Sequence, residues 1–343
     1  MRVLLEAHHP SDIHFWKHAV RELRARGDEV LLLGRDRDVM RALLAAYDHI
    51  PSRILSRERR DNRVPLAEML ERQLGVAEAI REFRPDVVAS LMGSYTQSSW
   101  LFRVPSAVFT DSEHQALNHR IAHPFATRIY TPACFEKDLG PKQRRYLGYH
   151  ELAYLHPARH RPDPSVLGEL GAEAGSYVVV RTSAWNTLHD IGKRALGPRL
   201  EATVEALSRR ARVLLVPEGG ALPPSLEPLR LRCAPPRYHD VLAHARLVLT
   251  EGASTASEAA CLGVPAVYVN PSQLGYLRDQ ERRYDLVSNF TDPDAAVARA
   301  LALLDDPTPA ERLRAARERL VADHDDVTSF VVAALGDLAR AGR

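Results

Sequence analysis

LTEGASTASEAACLGVPAVYVNP, residues 249–271, reads as the end of one strand, a glycine turn, a helix and a second strand. Val248 to Thr250 close the first strand, and Gly252 lets the backbone turn tightly. Ser254 and Thr255 then open a helix to about Leu262, so its first N–H groups and the positive end of its dipole converge on one spot. An anion suits that spot. The turn therefore reads as a nucleotide-phosphate cradle, with Glu258 one turn further in and able to reach ribose hydroxyls. Gly263 ends the helix, and Pro265 blocks its continuation before a strand at 266–269. The residues alone also admit an ordinary strand–helix–strand turn, with Glu258 solvated or part of a helix cap.

The same alternation extends in both directions. Residues 2–5, 29–33, 87–90 and 106–109 read as strands of a first parallel sheet, and 177–181, 213–217, 229–233, 247–250 and 266–269 as strands of a second. A helix over about 13–26 places Ile13, Trp16, Val20 and Leu23 on one face and stops at Gly27. A longer helix over 66–83 aligns Leu66, Leu70, Leu74, Ala77 and Ile80. The proline- and histidine-rich run HELAYLHPARHRPDP interrupts the alternation and reads as the connection between two domains. After Pro293 the pattern is helical to the end, closing with a helix over 327–341.

The order Gly-Ala-Ser-Thr-x-x-Glu-Ala-x-x-Leu-Gly-x-Pro is similar to the donor-site signature of GT-B glycosyltransferases, such as the enzyme that adds N-acetylglucosamine to the lipid-linked peptidoglycan precursor. It also resembles the corresponding segment of UDP-N-acetylglucosamine 2-epimerases. Across nearly the whole chain, PSDIHFWK, TDSEHQALN, GYHELAYLHP and VVVRTSAWNTLHD resemble a GT-B-like family of unknown function. The resemblance implies an α/β GT-B fold, with two Rossmann-like domains whose parallel sheets face a central cleft. Residues 1–155 would form an acceptor-side domain and 156–326 a nucleotide-sugar domain, with the helix of 327–343 crossing back to the first. It implies transfer of a sugar from an NDP-sugar, expected to be a UDP-sugar, to an acceptor hydroxyl in glycan or glycolipid assembly. A UDP-N-acetylglucosamine 2-epimerase-like epimerase or hydrolase, and a non-catalytic nucleotide-sugar-binding protein, stay open.

Ligands of open parallel sheets bind at the carboxyl ends of the strands, so the polar strand-end loops hold the remaining candidates. The loop Glu6 to His14 follows the first strand, with Ser11 or Asp12 placed to cap the next helix. His14 resembles in position the histidine of the GT-B glycine-rich loop, although Pro10-Ser11-Asp12 stands here in place of glycines. Asp111, Glu113 and His114 follow another strand and are, with His14, the candidates for acceptor activation; Gly93 and Ser94 flank them. On the donor side, Arg181, Thr182 and Ser183 follow a strand at a place where the epimerases carry an arginine, whose fork suits a diphosphate. His189 and Asp190 come later in that loop, Pro217 to Gly220 form another, and Arg237, Tyr238 and His239 lie where GT-B donors receive their base.

His14 and His18 have metal-ligand spacing, with His8 and His9 nearby, but no HExxH glutamate accompanies them. The GT-B resemblance implies no bound metal or other cofactor, since in such enzymes a helix dipole and basic side chains carry the leaving diphosphate. The 46 basic and 44 acidic residues leave a net charge of +2, which gives no polyanion signature and argues against nucleic acid as a partner. Three scattered cysteines, Cys134, Cys233 and Cys261, suggest neither disulfides nor a cysteine-rich zinc site and fit a reducing cytoplasm. No cleavable leader is read, and no apolar run nears the roughly 20 residues that cross a bilayer. The basic run RERRDNR, residues 57–63, reads as solvated. Peripheral contact with the inner face of a membrane and assembly as a homodimer stay open.

Overall fold

Seven parallel strands form the first sheet: β1 (Arg2–Ala7), β2 (Glu29–Asp36), β3 (Ser52–Arg57), β4 (Val87–Ser90), β5 (Ser106–Phe109), β6 (Arg128–Pro132) and β7 (Gln143–Tyr146). Five form the second: β8 (Tyr177–Thr182), β9 (Arg212–Pro217), β10 (Leu247–Thr250), β11 (Ala266–Val269) and β12 (Val287–Phe290). The computed structural model describes residues 1–37, 39–57, 65–183, 196–218 and 222–342. The chain divides into two units, one of residues 1–154 with 324–343 and one of residues 155–323.

The first sheet runs β3-β2-β1-β4-β5-β6-β7 and the second β12-β11-β10-β8-β9. Each order reverses once, between β1 and β4 and between β8 and β10, and such reversals open a crevice at the carboxyl edge of an α/β sheet. Central strands are apolar on both faces because helices cover both. In the first unit Leu4, Leu33 and Val88 meet Val76, Ala79 and Ile80 of the helix Pro65–Phe83. On the other side lie the buried Ile13, Phe15 and Trp16 of the helix Pro10–Ala25, and the Trp16 indole N–H donates to Glu6 O at 2.7 Å. In the second, Val178, Val180, Leu247 and Leu249 pack with Leu200, Val204 and Leu207 of Leu200–Ser208 and Ala296 and Ala300 of Pro293–Asp305.

The C-terminal helix Val327–Ala341 packs against Pro10–Ala25 within the first unit. Asp326 caps it, and Thr328 Oγ1 donates to Ala153 O at 2.6 Å. Gly148 lies so close to Val327 that a Cβ there would run into its side chain. Gly148→Val should therefore loosen the terminal helix, read as faster amide exchange over 327–341.

Several elements differ from the sequence reading. The run 229–233 is not a strand: one parallel bridge, Leu215 to Arg230, is all that forms beside β9. Pro228 and Pro235 flank it and supply no N–H to a ladder. The strands β3, β6, β7 and β12 escaped the apolar pattern. On Pro65–Phe83 the inward stripe is Val76, Ala79 and Ile80, while Leu70 and Leu74 are 60% and 63% exposed. Both stripes are apolar at helical spacing, and contact with β1, β2 and β4 selects between them.

His123 packs over Gly93, and burial first, then the charge of His119, lowers its pKa from 6.5 to about 4. An unfolded chain takes up that proton near the ordinary value, so stability present above pH 6.5 is lost as pH falls toward 4. In thermal melts across that window, His123→Gln should lose less stability than wild type; an identical slope would remove His123 as a cause.

Candidate functional site

In the second unit, β8 and β10 deliver Arg181 and Gly252 to the same carboxyl edge at the order reversal. Gly252 is the N-cap of the helix Ala253–Leu262, which has no side-chain cap, and its own N–H is taken by Thr250 Oγ1 at 2.9 Å. The start of this helix thus keeps its positive end uncapped. The Arg181 side chain passes over the turn, since a Cβ on Gly252 would lie 3.7 Å from its Nε. Its guanidinium carbon stands 5.8 Å from the ring centre of Tyr238. Arg181 Nε, Tyr238 OH and Thr255 Oγ1 are all buried, with Tyr238 in reach of both Arg181 and Thr255. Three buried polar groups thus gather around one uncapped helix end.

Charge follows the same plan. Burial works against the Arg181 guanidinium, but Tyr238, Glu218 and Glu258 around it outweigh that and raise its pKa. Burial also raises the Tyr238 phenol, with Arg181 pulling the other way. Glu258 lies a turn into the helix, where its Oε1 meets His239 Nε2 at 3.0 Å, both residues being buried. Thr182 ends β8, and its carbonyl accepts the Glu218 N–H. Ser254 is half-buried beside Gly252.

Sequence reading passed over Glu251. Its carboxylate accepts the Ser183 N–H and the Leu196 N–H, each at 2.7 Å, while its carbonyl accepts from Asn270 at 3.1 Å. The available signal was an acid closing an otherwise apolar strand. His189, Asp190, Gly219 and Gly220 lie outside the described residues, as do Glu58 to Arg63 of the basic run.

In the first unit the four candidates for acceptor chemistry have different partners. His14 is 6% exposed, its ring centre 5.5 Å from that of Tyr154 and 5.9 Å from that of Tyr47. Lys17 stands over the same two tyrosines, 5.2 Å from the ring centre of Tyr47 and 5.8 Å from that of Tyr154. Glu113 accepts the Glu136 N–H, Lys137 donates to the Glu113 carbonyl, and His114 is exposed. Asp111 instead pairs with His150, Oδ2 to Nδ1 at 3.2 Å, and receives the Ser112 hydroxyl at 2.9 Å. Burial lowers the His150 pKa, opposed by Asp111 and Asp12.

At the β1–β4 reversal stand groups not singled out for acceptor chemistry. Glu6 Oε1 is 2.9 Å from His8 Nδ1, and Asp12 Oδ2 accepts the N–H groups of His8 and His9 at 2.7 Å and 3.0 Å. Asp12 completes a capping box with His9, close to the capping role read from the loop. Burial would raise the Glu6 pKa, but His8, Ser94 and Arg72 outweigh it and lower it; at Asp12 burial prevails and the pKa rises. The polar density after β1, and the histidine within GYHELAYLHP, were the signals for these residues. Among the described residues no three or more His, Cys, Asp or Glu come together as a metal site, and no helix is long and apolar enough to cross a membrane.

The chain is similar to the UDP-GlcNAc 2-epimerase of Neisseria meningitidis, solved bound to UDP-GlcNAc, with a TM-score of 0.70 at 9% identity over 98% of this chain and 100% of that one. The UDP-GlcNAc 2-epimerase of Methanocaldococcus jannaschii, in complex with UDP-GlcNAc and UDP, gives 0.66 at 10% over 90% and 94%. The glycosyltransferase VinC in complex with dTDP gives 0.65 at 14% over 99% and 100%. At such identities the likeness is one of fold, and with two parallel-sheet α/β units it is the GT-B fold that these transferases and epimerases share. No curated protein matches the sequence. Residues 2–335 match the family described as a protein of unknown function, DUF354, and the chain belongs to that family.

Proposed function

We propose that the protein is a glycosyltransferase that moves a sugar from a nucleoside-diphosphate sugar, of the UDP class, to an acceptor hydroxyl. The observation that carries this reading is the uncapped helix start at Gly252, ringed by the buried polar groups of Arg181, Tyr238 and Thr255. Ser254, Thr255 and Arg181 take the diphosphate, with Thr182 and Ser183 beside them; Glu258, held by His239, takes the ribose, and the Tyr238 loop borders the base. Residues 156–326 are thus the nucleotide-sugar domain and 1–155 the acceptor-side domain, with His14 and the Asp111 centre as its candidates for proton transfer. As a base takes the acceptor proton, its oxygen bonds to the sugar C1. The C1–O bond to the diphosphate breaks, NDP leaves with the electron pair, and the carbon inverts. Structures of the same fold solved with UDP, UDP-GlcNAc or dTDP support the donor class.

UDP should raise the melting temperature, because a ligand bound only by the folded state adds about 2.7 kcal/mol at a hundredfold excess over its Kd. Glu258→Gln should weaken UDP more than its 2′,3′-dideoxy analogue. An unmoved melting curve with UDP, dTDP and GDP alike would sink the donor site. Since a helix end and Arg181 carry the leaving charge here, turnover should survive chelation; loss restored by one divalent ion would overturn that account.

Epimerisation or hydrolysis of a UDP-sugar is the second reading. The first unit favours it in one respect, holding two carboxylate-paired histidines that could give and take protons. Incubating UDP-GlcNAc without an acceptor separates the readings, since epimerisation or UDP release then needs no partner.

A further inference from the structure

His8 and His150 share one construction. His8 Nδ1 lies 2.9 Å from Glu6 Oε1 and His150 Nδ1 3.2 Å from Asp111 Oδ2, and in a neutral ring a carboxylate at Nδ1 favours the tautomer with its lone pair on Nε2. Both Nε2 atoms are buried without a hydrogen-bond partner, while the Glu6 carboxylate faces His8 and Ser94. His8 and His150 are each 7% exposed and Glu6 is 1% exposed. Asp12 ties the two pairs together, accepting the His8 N–H while its charge reaches His150.

In that tautomer the two unpaired imidazole nitrogens are acceptors, and the Glu6 carboxylate beside them accepts as well. A phosphate or carboxylate brings no donor to them, and its charge would meet those of Glu6, Asp12 and Asp111, with Arg72 the cation whose field reaches Glu6. A sugar ring brings several O–H donors and no charge. Tyr95 does not fill the need, because its hydroxyl faces Leu33 O at 3.5 Å.

We propose that this carboxyl edge of the first unit binds a neutral, polyhydroxylated ring, whose hydroxyls donate to His8, His150 and Glu6. It rests on the transferase reading only in naming that ring as the acceptor. His150 is then the group that takes the acceptor proton onto Nε2, and Asp111 is a positioning residue that fixes its tautomer. The division of charge is the consequence: the second unit receives the anionic donor, and the first receives a moiety without phosphate.

The test uses the full chain with ring-15N-labelled histidine, titrated with N-acetylglucosamine, glucose, mannose and rhamnose as neutral probes, and with inorganic phosphate and pyrophosphate as anionic ones. At least one neutral sugar should saturably shift the Nε2 resonances of both His8 and His150, and the anions should not. Glu6→Gln and His150→Gln should each weaken that sugar by about tenfold, the worth of one hydrogen bond to a buried charged or oriented group. UDP affinity, measured by calorimetry on the same samples, should stay within about twofold, because the donor groups lie in the other unit. Shifts with phosphate instead of sugar, or none with any sugar on the wild-type protein, overturn the proposal whatever the variants do. Failure of UDP to bind overturns the donor reading alone, since the sugar titration is read separately.

Discussion

Arg181→Ala is expected to weaken UDP binding by roughly 100-fold, and Ser254→Asp by at least tenfold, with both proteins folded. A hydrogen bond to a charged group contributes about 1.5–3 kcal/mol, and a guanidinium fork makes two to a diphosphate. Arg181→Lys should recover only part of the loss, because the ammonium keeps the charge without the fork. Ser254→Asp is the sharper variant because its two effects have opposite signs. A carboxylate on the first turn of an uncapped helix complements the dipole and adds about 0.3–1 kcal/mol of stability. The same carboxylate stands where a phosphate belongs. A higher melting temperature without UDP, and a smaller shift with it, is the expected pair of readings. Unchanged UDP affinity in both variants would mean that the helix start is only a turn of the fold.

Much of the second unit was legible because LTEGASTASEAACLGVPAVYVNP specifies its own geometry. Gly263 adopts φ +81 at the helix end, as a left-handed cap requires. The apolar runs at β1, β4, β5, β10 and β11 were equally clear, since strands covered on both faces need apolar residues on both. The strands that escaped lie toward sheet edges and carry polar side chains, as in QRRY of β7 and SRILSR of β3. There pairing with a neighbour decides, and a neighbour far along the chain leaves no local pattern. Pairing hid the site chemistry in the same way. Asp111 was visible as a strand-end acid, but its partner His150 lies 39 positions later and meets it only through the order of β5, β6 and β7. Glu113 looked the same in sequence, yet its carboxylate is taken by the backbone of Glu136.

That difference between two neighbouring acids sets up the largest rate effect. Asp111→Asn is expected to lower transfer by 10² or more, which is what the loss of a correctly oriented base typically costs. An amide beside His150 Nδ1 can turn its NH2 toward the ring, place the imidazole proton on Nε2 and remove the lone pair that takes the acceptor proton. His150→Gln should show at least the same loss, and the double variant little more, because the two act as one unit. In each, UDP titrated by calorimetry should bind as in wild type, so the loss falls on kcat rather than on donor affinity. Glu113→Gln is the contrasting case. It keeps an oxygen for the Glu136 N–H, so stability should fall by about 1 kcal/mol or less and transfer should change within a few-fold. Wild-type turnover in Asp111→Asn would move the base away from this centre, and His14, enclosed by Tyr47 and Tyr154, would be the next residue to replace.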